Sequence, residues 1–128
     1  MITVDTHAFV WWRTDSPRLS RKALRALERN AEIGIADIVL WEIAMMAERG
    51  TLKFETSARQ WIDDALTDIR IRVLPITGPI ATLSIAIERT IRQDPADHLI
   101  VATALTHGAP LVTKDSAFDS VVGLEVIW

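Results

Sequence analysis

Short apolar segments alternate along this chain with longer segments of helical periodicity. This alternation is typical of parallel sheets, because a parallel connection needs a crossover that is usually a helix, and the helices cover both faces of the sheet. The 128 residues suffice for one hydrophobic core. The pattern therefore predicts an α/β fold, with a single domain over residues 1–128 and a central, mostly parallel sheet flanked by helices on both faces. The predicted strands are ITVD (2–5), EIGI (32–35), IRVLPI (71–76), APLVTKD (109–115) and LEVIW (124–128).

Helix start and stop residues mark several of the segments between these strands. Asp37 is expected to cap the third helix, which Gly50 ends. Asp94, Pro95 and Gly108 are expected to be the N-cap, the first helical residue and the stop of the last helix. The predicted helices are THAFVWWR (6–13), RLSRKALRALERN (18–30), IVLWEIAMMAER (38–49), TSARQWIDDALTDI (56–69), TGPIATLSIAIERT (77–90) and QDPADHLIVATALTHG (93–108).

Composition excludes several classes of protein. The chain has no cysteine, which rules out disulfides, thiolate zinc sites and cysteine nucleophiles. Its formal net charge is −3, so no overall positive field attracts nucleic acid, and any such binding needs a local patch. No apolar run reaches the roughly 18 residues of a membrane helix, and no basic region precedes the first apolar segment as in a secretory signal. We therefore expect a cytoplasmic protein without a membrane partner.

Three acidic residues lie where the predicted strands end. Asp5 ends the first strand, Asp115 ends the fourth, and Asp97 lies in the first turn of the helix before that fourth strand. In open parallel sheets, ligands bind beyond the carboxyl ends of the strands. Taken singly, each acid also has an ordinary explanation as a helix cap or a turn residue.

Glu42 is less easily explained as an ordinary surface residue. Its helix places Ile38, Met45 and Met46 on the same face, and no other charge occurs between residues 38 and 47. A carboxylate in apolar surroundings is costly unless its charge is paired. A salt bridge to a distant arginine is one explanation, and a divalent cation shared with other acids is another.

Asp97 repeats this pattern on the last helix. Ile100, Val101, Ala104 and Leu105 continue its stripe, so it is expected to face the buried side. Several converging carboxylates repel one another unless one stays protonated. Mg²⁺ or Mn²⁺ removes this repulsion, because such a hard cation takes oxygen ligands and keeps bound waters. The hypothesis is that the four acids, Asp5, Glu42, Asp97 and Asp115, surround a metal ion.

Four motifs in order, DTHAFVWW, LWEIA, DPADHLIVATAL and LVTKDSAF, resemble the PIN-domain ribonucleases, specifically toxins of the VapC type. The similarity spans nearly the whole chain. It implies a Mg²⁺- or Mn²⁺-dependent endoribonuclease that forms a homodimer, is inhibited by a small cognate antitoxin, and contacts operator DNA only through that antitoxin. The family's acidic quartet maps onto Asp5, Glu42, Asp97 and Asp115, with Asp5, Asp97 and Asp115 as metal ligands. Its supporting hydroxyl residues map onto Thr6 and Thr113.

The sequence departs from this family at two positions. Relatives often carry an aromatic residue and an arginine where this chain has Ala96 and His98. Neither residue is an expected metal ligand, so the departure concerns RNA contacts rather than catalysis. The other histidines, His7 and His107, also show no ligand spacing and are interpreted as structural.

A basic stripe on the second helix is the candidate surface for RNA. A solvated face of an amphipathic helix explains the same stripe, and Arg89, Arg92 and Lys114 are equally plausible phosphate contacts. The stripe consists of Arg18, Arg21, Lys22, Arg25 and Arg29.

A different class of function stays open at this point. A catalytically silent PIN-like module would bind RNA or a protein without cutting it. Retention of all four acids argues against a silent module, and metal-dependent cleavage discriminates between the two.

Overall fold

The computed structural model describes all 128 residues. Its centre is a sheet of five strands in the order β3-β2-β1-β4-β5, and every neighbouring pair is parallel. The prediction of a mostly parallel sheet is therefore confirmed. The strands are β1 (Ile2–Val4), β2 (Ile33–Ala36), β3 (Ile71–Leu74), β4 (Leu111–Val112) and β5 (Val126–Ile127).

Six α-helices flank the sheet, one at each predicted position. Several are shorter than predicted, because capping residues within the periodic segments set their ends. Ser57 accepts a hydrogen bond from Gln60 N and starts α4, and Thr77 caps α5 in the same way. The helices are α1 (Thr6–Arg13), α2 (Arg21–Arg29), α3 (Ile38–Glu48), α4 (Ala58–Ala65), α5 (Gly78–Glu88) and α6 (Pro95–Thr106), and a 3₁₀ helix covers Ser116–Ser120.

Two predicted N-caps hold their positions without making the expected bond. Asp37 precedes α3, but its carboxylate accepts a hydrogen bond from Ile76 N at 3.1 Å and caps nothing. Asp94 precedes α6 and also makes no side-chain cap. The stops are as predicted: Gly50 and Gly108 take φ values of +77° and +59°, a conformation that glycine adopts without steric cost.

The central strands are buried on both faces. Every residue of β1 and β2 is buried, and since successive strand side chains point to opposite faces, helices cover both. Gly34 permits a close approach within this core, because a Cβ there would lie 2.7 Å from the Leu74 Cδ1 atom. None of the six α-helices combines the length and the hydrophobicity that a membrane-spanning helix requires.

The strand order reverses between β1 and β4, which both leave the sheet at the same edge. Asp5 follows β1 directly, and Asp115 follows β4 by three residues. Such a reversal leaves a crevice between the two outgoing connections, which is where open α/β sheets bind ligands. The fold therefore brings two of the predicted acids to its expected ligand site.

Candidate active site

A cavity of about 600 Å³ lies at this reversal point. All four predicted acids line it, although they come from four separate segments of the chain. Thr6 also lines it, as does Asp94, a fifth acid that was expected only to cap a helix. Asp94 lies one turn before Asp97 in the DPAD motif, and this spacing could have identified it from the sequence as a residue of the cavity. The predicted quartet is Asp5, Glu42, Asp97 and Asp115.

The Asp5 carboxylate is fixed by the start of α1. Its Oδ1 atom accepts a hydrogen bond from Ala8 N at 2.8 Å, so the residue is the N-cap of α1 as well as a cavity residue. Burial raises the pKa of Asp5 above its ordinary value, although Thr113, Ala8 and His7 partly oppose this; the nearby Glu42 makes only the smallest contribution, which is upward. Charge on this carboxylate is therefore unfavourable without a counterion.

Thr113 supports this arrangement without lining the cavity. Its buried hydroxyl accepts a hydrogen bond from Asp115 N at 3.1 Å and acts on the Asp5 carboxyl, whose pKa it lowers. The structure thus places Thr113 between two of the acids, as a linking residue.

Glu42 is half-buried on α3 and has no cationic partner. Its Oε1 atom accepts a hydrogen bond from the Thr6 hydroxyl at 2.5 Å, and none of the four ion pairs in the structure includes it. The explanation of Glu42 as one half of a structural salt bridge is therefore wrong. Its surroundings are also less apolar than expected, since one side of the residue faces the cavity.

Asp97 has the most perturbed carboxyl group of the cavity. Burial and, to a lesser extent, repulsion from Glu42, Asp94 and Asp5 raise its pKa from 3.8 to about 7. Carboxyl groups that converge in a partly desolvated space have raised pKa values, because each ionised group makes ionisation of its neighbours less favourable. A bound cation would lower the pKa of Asp97 again, because it favours the ionised carboxylate.

The donor chemistry of this cluster suits a hard divalent cation, since carboxylate oxygens are the ligands that Mg²⁺ and Mn²⁺ prefer. No group of three or more acidic or histidine side chains is, however, arranged to hold a metal ion as the side chains stand. The oxygens lie around one cavity, and at least part of the set must turn before three side chains face a common point.

Cationic and aromatic side chains also line the cavity. Of the predicted basic stripe only Arg18 does so, and it lies in the loop before α2. Lys114, His7 and Trp11 line it too, and neither Arg18 nor Lys114 takes part in an ion pair. The rest of the stripe is exposed on α2 outside the cavity, namely Arg21, Lys22, Arg25 and Arg29.

The histidines differ in their positions. His98 is buried and its Nε2 atom lies 3.1 Å from the Ile91 carbonyl oxygen, in agreement with a structural role. His107 is exposed at the end of α6. His7 is exposed in the cavity, and its ring centroid lies 5.7 Å from that of Trp11. The sequence spacing of the histidines gave no sign of this location.

Comparison with known proteins identifies the fold. The sequence profile described as "PIN domain" matches residues 2–124. The chain belongs to the PIN-domain family and, within it, to the VapC proteins. It is 34% identical over 119 residues to Ribonuclease VapC22 of Mycobacterium tuberculosis, covering 93% of this chain and 90% of that protein.

Solved structures of toxin–antitoxin complexes share the fold. VapBC2 from Rickettsia felis, bound to a DNA fragment from its promoter, matches with a TM-score of 0.74 and 21% identity over 98% of this chain and 97% of that chain. A toxin–antitoxin complex from Klebsiella pneumoniae matches with a TM-score of 0.71 and 21% identity over 97% and 95% of the respective chains. At these identities the likeness concerns the fold.

Proposed function

We propose that this protein is a metal-dependent endoribonuclease and the toxin of a toxin–antitoxin pair. The observation that carries the proposal is the convergence of Asp5, Glu42, Asp97 and Asp115 on one cavity at the reversal point of the sheet. The 34% identical relative is named as a ribonuclease, which supports RNA as the substrate class.

The chain's own residues divide the chemical work. Asp5, Asp97 and Asp115 would hold Mg²⁺ or Mn²⁺, which when bound makes a water molecule acidic enough to attack the phosphodiester. Glu42, held by the Thr6 hydroxyl, would orient that water or accept its proton. Attack by water rather than by the ribose 2′-hydroxyl leaves 5′-phosphate and 3′-hydroxyl ends.

RNA contacts would come from the cationic side of the same cavity. Arg18 and Lys114 line it without ion-pair partners, so both are available to phosphates that flank the scissile bond. The exposed positions of the other four basic residues of the stripe favour the interpretation of that stripe as a solvated helix face.

The partners follow from the structural neighbours, which are toxin–antitoxin complexes and include one bound to promoter DNA. We propose a small cognate antitoxin that blocks the cavity and contacts operator DNA, and a homodimer of this chain. Trp41, a residue of α3 that is 57% exposed, suits such an interface. With RNA as its substrate, the protein would act in the cytoplasm.

The test is cleavage of an RNA pool by purified, partner-free protein in Mg²⁺ or Mn²⁺, and then in excess chelator. Asp97→Asn, purified in parallel, controls for contaminating nucleases. Cleavage that requires metal and is lost in Asp97→Asn is the expected result. Absence of cleavage by folded, metal-supplied protein would instead support the silent binding module.

A further inference from the structure

The loop between α5 and α6 contacts one acid of the cavity through Gln93, a residue outside the four motifs that carry the family resemblance. Gln93 donates a hydrogen bond from its Nε2 atom to the Oδ2 atom of Asp115 at 2.9 Å. The two residues are 22 positions apart in sequence, so this contact joins two separate connections at the sheet edge.

Asp115 is held at both carboxylate oxygens. Its Oδ1 atom accepts a hydrogen bond from Ala117 N at 2.9 Å at the start of the 3₁₀ helix, while Gln93 engages Oδ2. Each oxygen has two lone pairs, so an oxygen that accepts from Gln93 can still bind a cation. The two bonds therefore fix the direction of the carboxylate without consuming its capacity as a ligand.

The loop is anchored at Ile91, two residues before Gln93, by a contact with His98. His98 is buried, and its Nε2 atom lies 3.1 Å from the carbonyl oxygen of Ile91, a residue that is also buried. His98 adjoins Asp97 on α6, so the anchor ties the loop to the helix that carries another cavity acid. Gln93 is thereby presented to Asp115 from a fixed backbone.

We propose that Gln93 is a positioning residue that orients Asp115 for metal binding, with His98 fixing the loop that carries it. The inference rests on the proposed function, in which Asp115 is a metal ligand. Partners that orient a metal ligand typically contribute roughly 10–100-fold to affinity. Loss of the Gln93 amide is therefore expected to weaken metal binding while leaving the ligand itself in place.

The test replaces Gln93 with methionine, which keeps the length of the side chain and removes the donor. Mn²⁺ is titrated into the full chain, and free Mn²⁺ is followed by electron paramagnetic resonance. Gln93→Met is expected to bind Mn²⁺ about 10-fold more weakly than wild type. The matched control is Gln60→Met, because Gln60 makes a bond of the same kind, 2.9 Å to Asp64 on α4, away from the cavity. It should bind Mn²⁺ as wild type does.

Two further arms separate positioning from general stability. In an Asp115→Ala background, Gln93→Met should cause no additional loss of Mn²⁺ affinity, since the oxygen to which Gln93 donates is gone. Raising Mn²⁺ should restore RNA cleavage in Gln93→Met, because the ligand set is intact. Wild-type Mn²⁺ affinity in Gln93→Met, or an equal loss of affinity in the Asp115→Ala background, would overturn this inference and leave the proposed function standing. A wild-type protein that neither binds Mn²⁺ nor cuts RNA would overturn the proposed function with it.

Discussion

Asp97→Asn should stabilise the metal-free protein, and increasingly so at higher pH. In the folded state the pKa of Asp97 is raised from 3.8 to about 7, mainly by burial. The folded protein therefore binds more protons than the unfolded chain between these pH values, and its stability falls as pH rises through this window. The cost of ionising Asp97 is absent below about pH 4 and fully present above about pH 7. Asparagine never ionises and avoids this cost.

The magnitude follows from the size of the shift. At about 1.36 kcal/mol per pKa unit, the difference between 3.8 and about 7 corresponds to at most about 4 kcal/mol. Asp97 is only partly buried, and screening by solvent reduces this to about 2 kcal/mol.

Urea unfolding in chelator, at pH values from about 5 to 8.5, measures the difference in free energy of unfolding between Asp97→Asn and wild type. The difference should grow with pH and level off above about pH 7. A difference that is independent of pH, or a destabilised variant, would refute the reasoning.

Three further predictions concern the same cavity. Glu42→Gln should leave the free energy of unfolding in chelator within about 1 kcal/mol of wild type, since no ion pair is removed. The same substitution should lower the rate of RNA cleavage about 100-fold or more. A decrease of roughly 3–5 kcal/mol in the free energy of unfolding by urea would indicate a buried ion pair instead. Replacing Arg18 and Lys114 with alanine should weaken RNA binding and reduce the slope of log affinity against log salt by about 0.7 for each phosphate that is no longer neutralised, whereas alanine at Arg21 and Lys22 should leave that slope unchanged. Mg²⁺ at about 100 times its dissociation constant should stabilise the wild-type protein by about 2.7 kcal/mol in urea unfolding, and persistence of this stabilisation in excess chelator would contradict specific binding.

The order of elements and the positions of the acids could be predicted because both depend on local patterns. Apolar strands and helix stops such as Gly50 and Gly108 indicate a parallel sheet, and Asp5 and Asp115 both follow strands whose carboxyl ends share one edge. The strand order that makes β1 and β4 neighbours is a finding of the structure. Glu42 and Asp97 were found because each is a charge on an otherwise apolar helix stripe.

The surroundings of the acids could not be predicted in the same way, because they depend on how helices pack. The basic stripe is a clear example: α2 buries Ala23 and Leu27 in the core, and this turns the stripe away from the cavity. Lys114 reaches the cavity from the connection after β4, and His7 reaches it from the first turn of α1. The bond from Gln93 to Asp115 joins residues from two loops, and no periodicity within either loop signals it.

The most direct test of the account is the chemistry of the RNA ends that the protein produces. RNA cut by the wild-type protein in Mg²⁺ is examined for its terminal groups, with Asp97→Asn as the control for contaminating nucleases. Attack by water activated among the four acids predicts 5′-phosphate and 3′-hydroxyl ends that are absent from the control. Ends with 2′,3′-cyclic phosphate and 5′-hydroxyl groups would show attack by the ribose itself and would contradict the assignment of the acidic cavity as the hydrolytic centre.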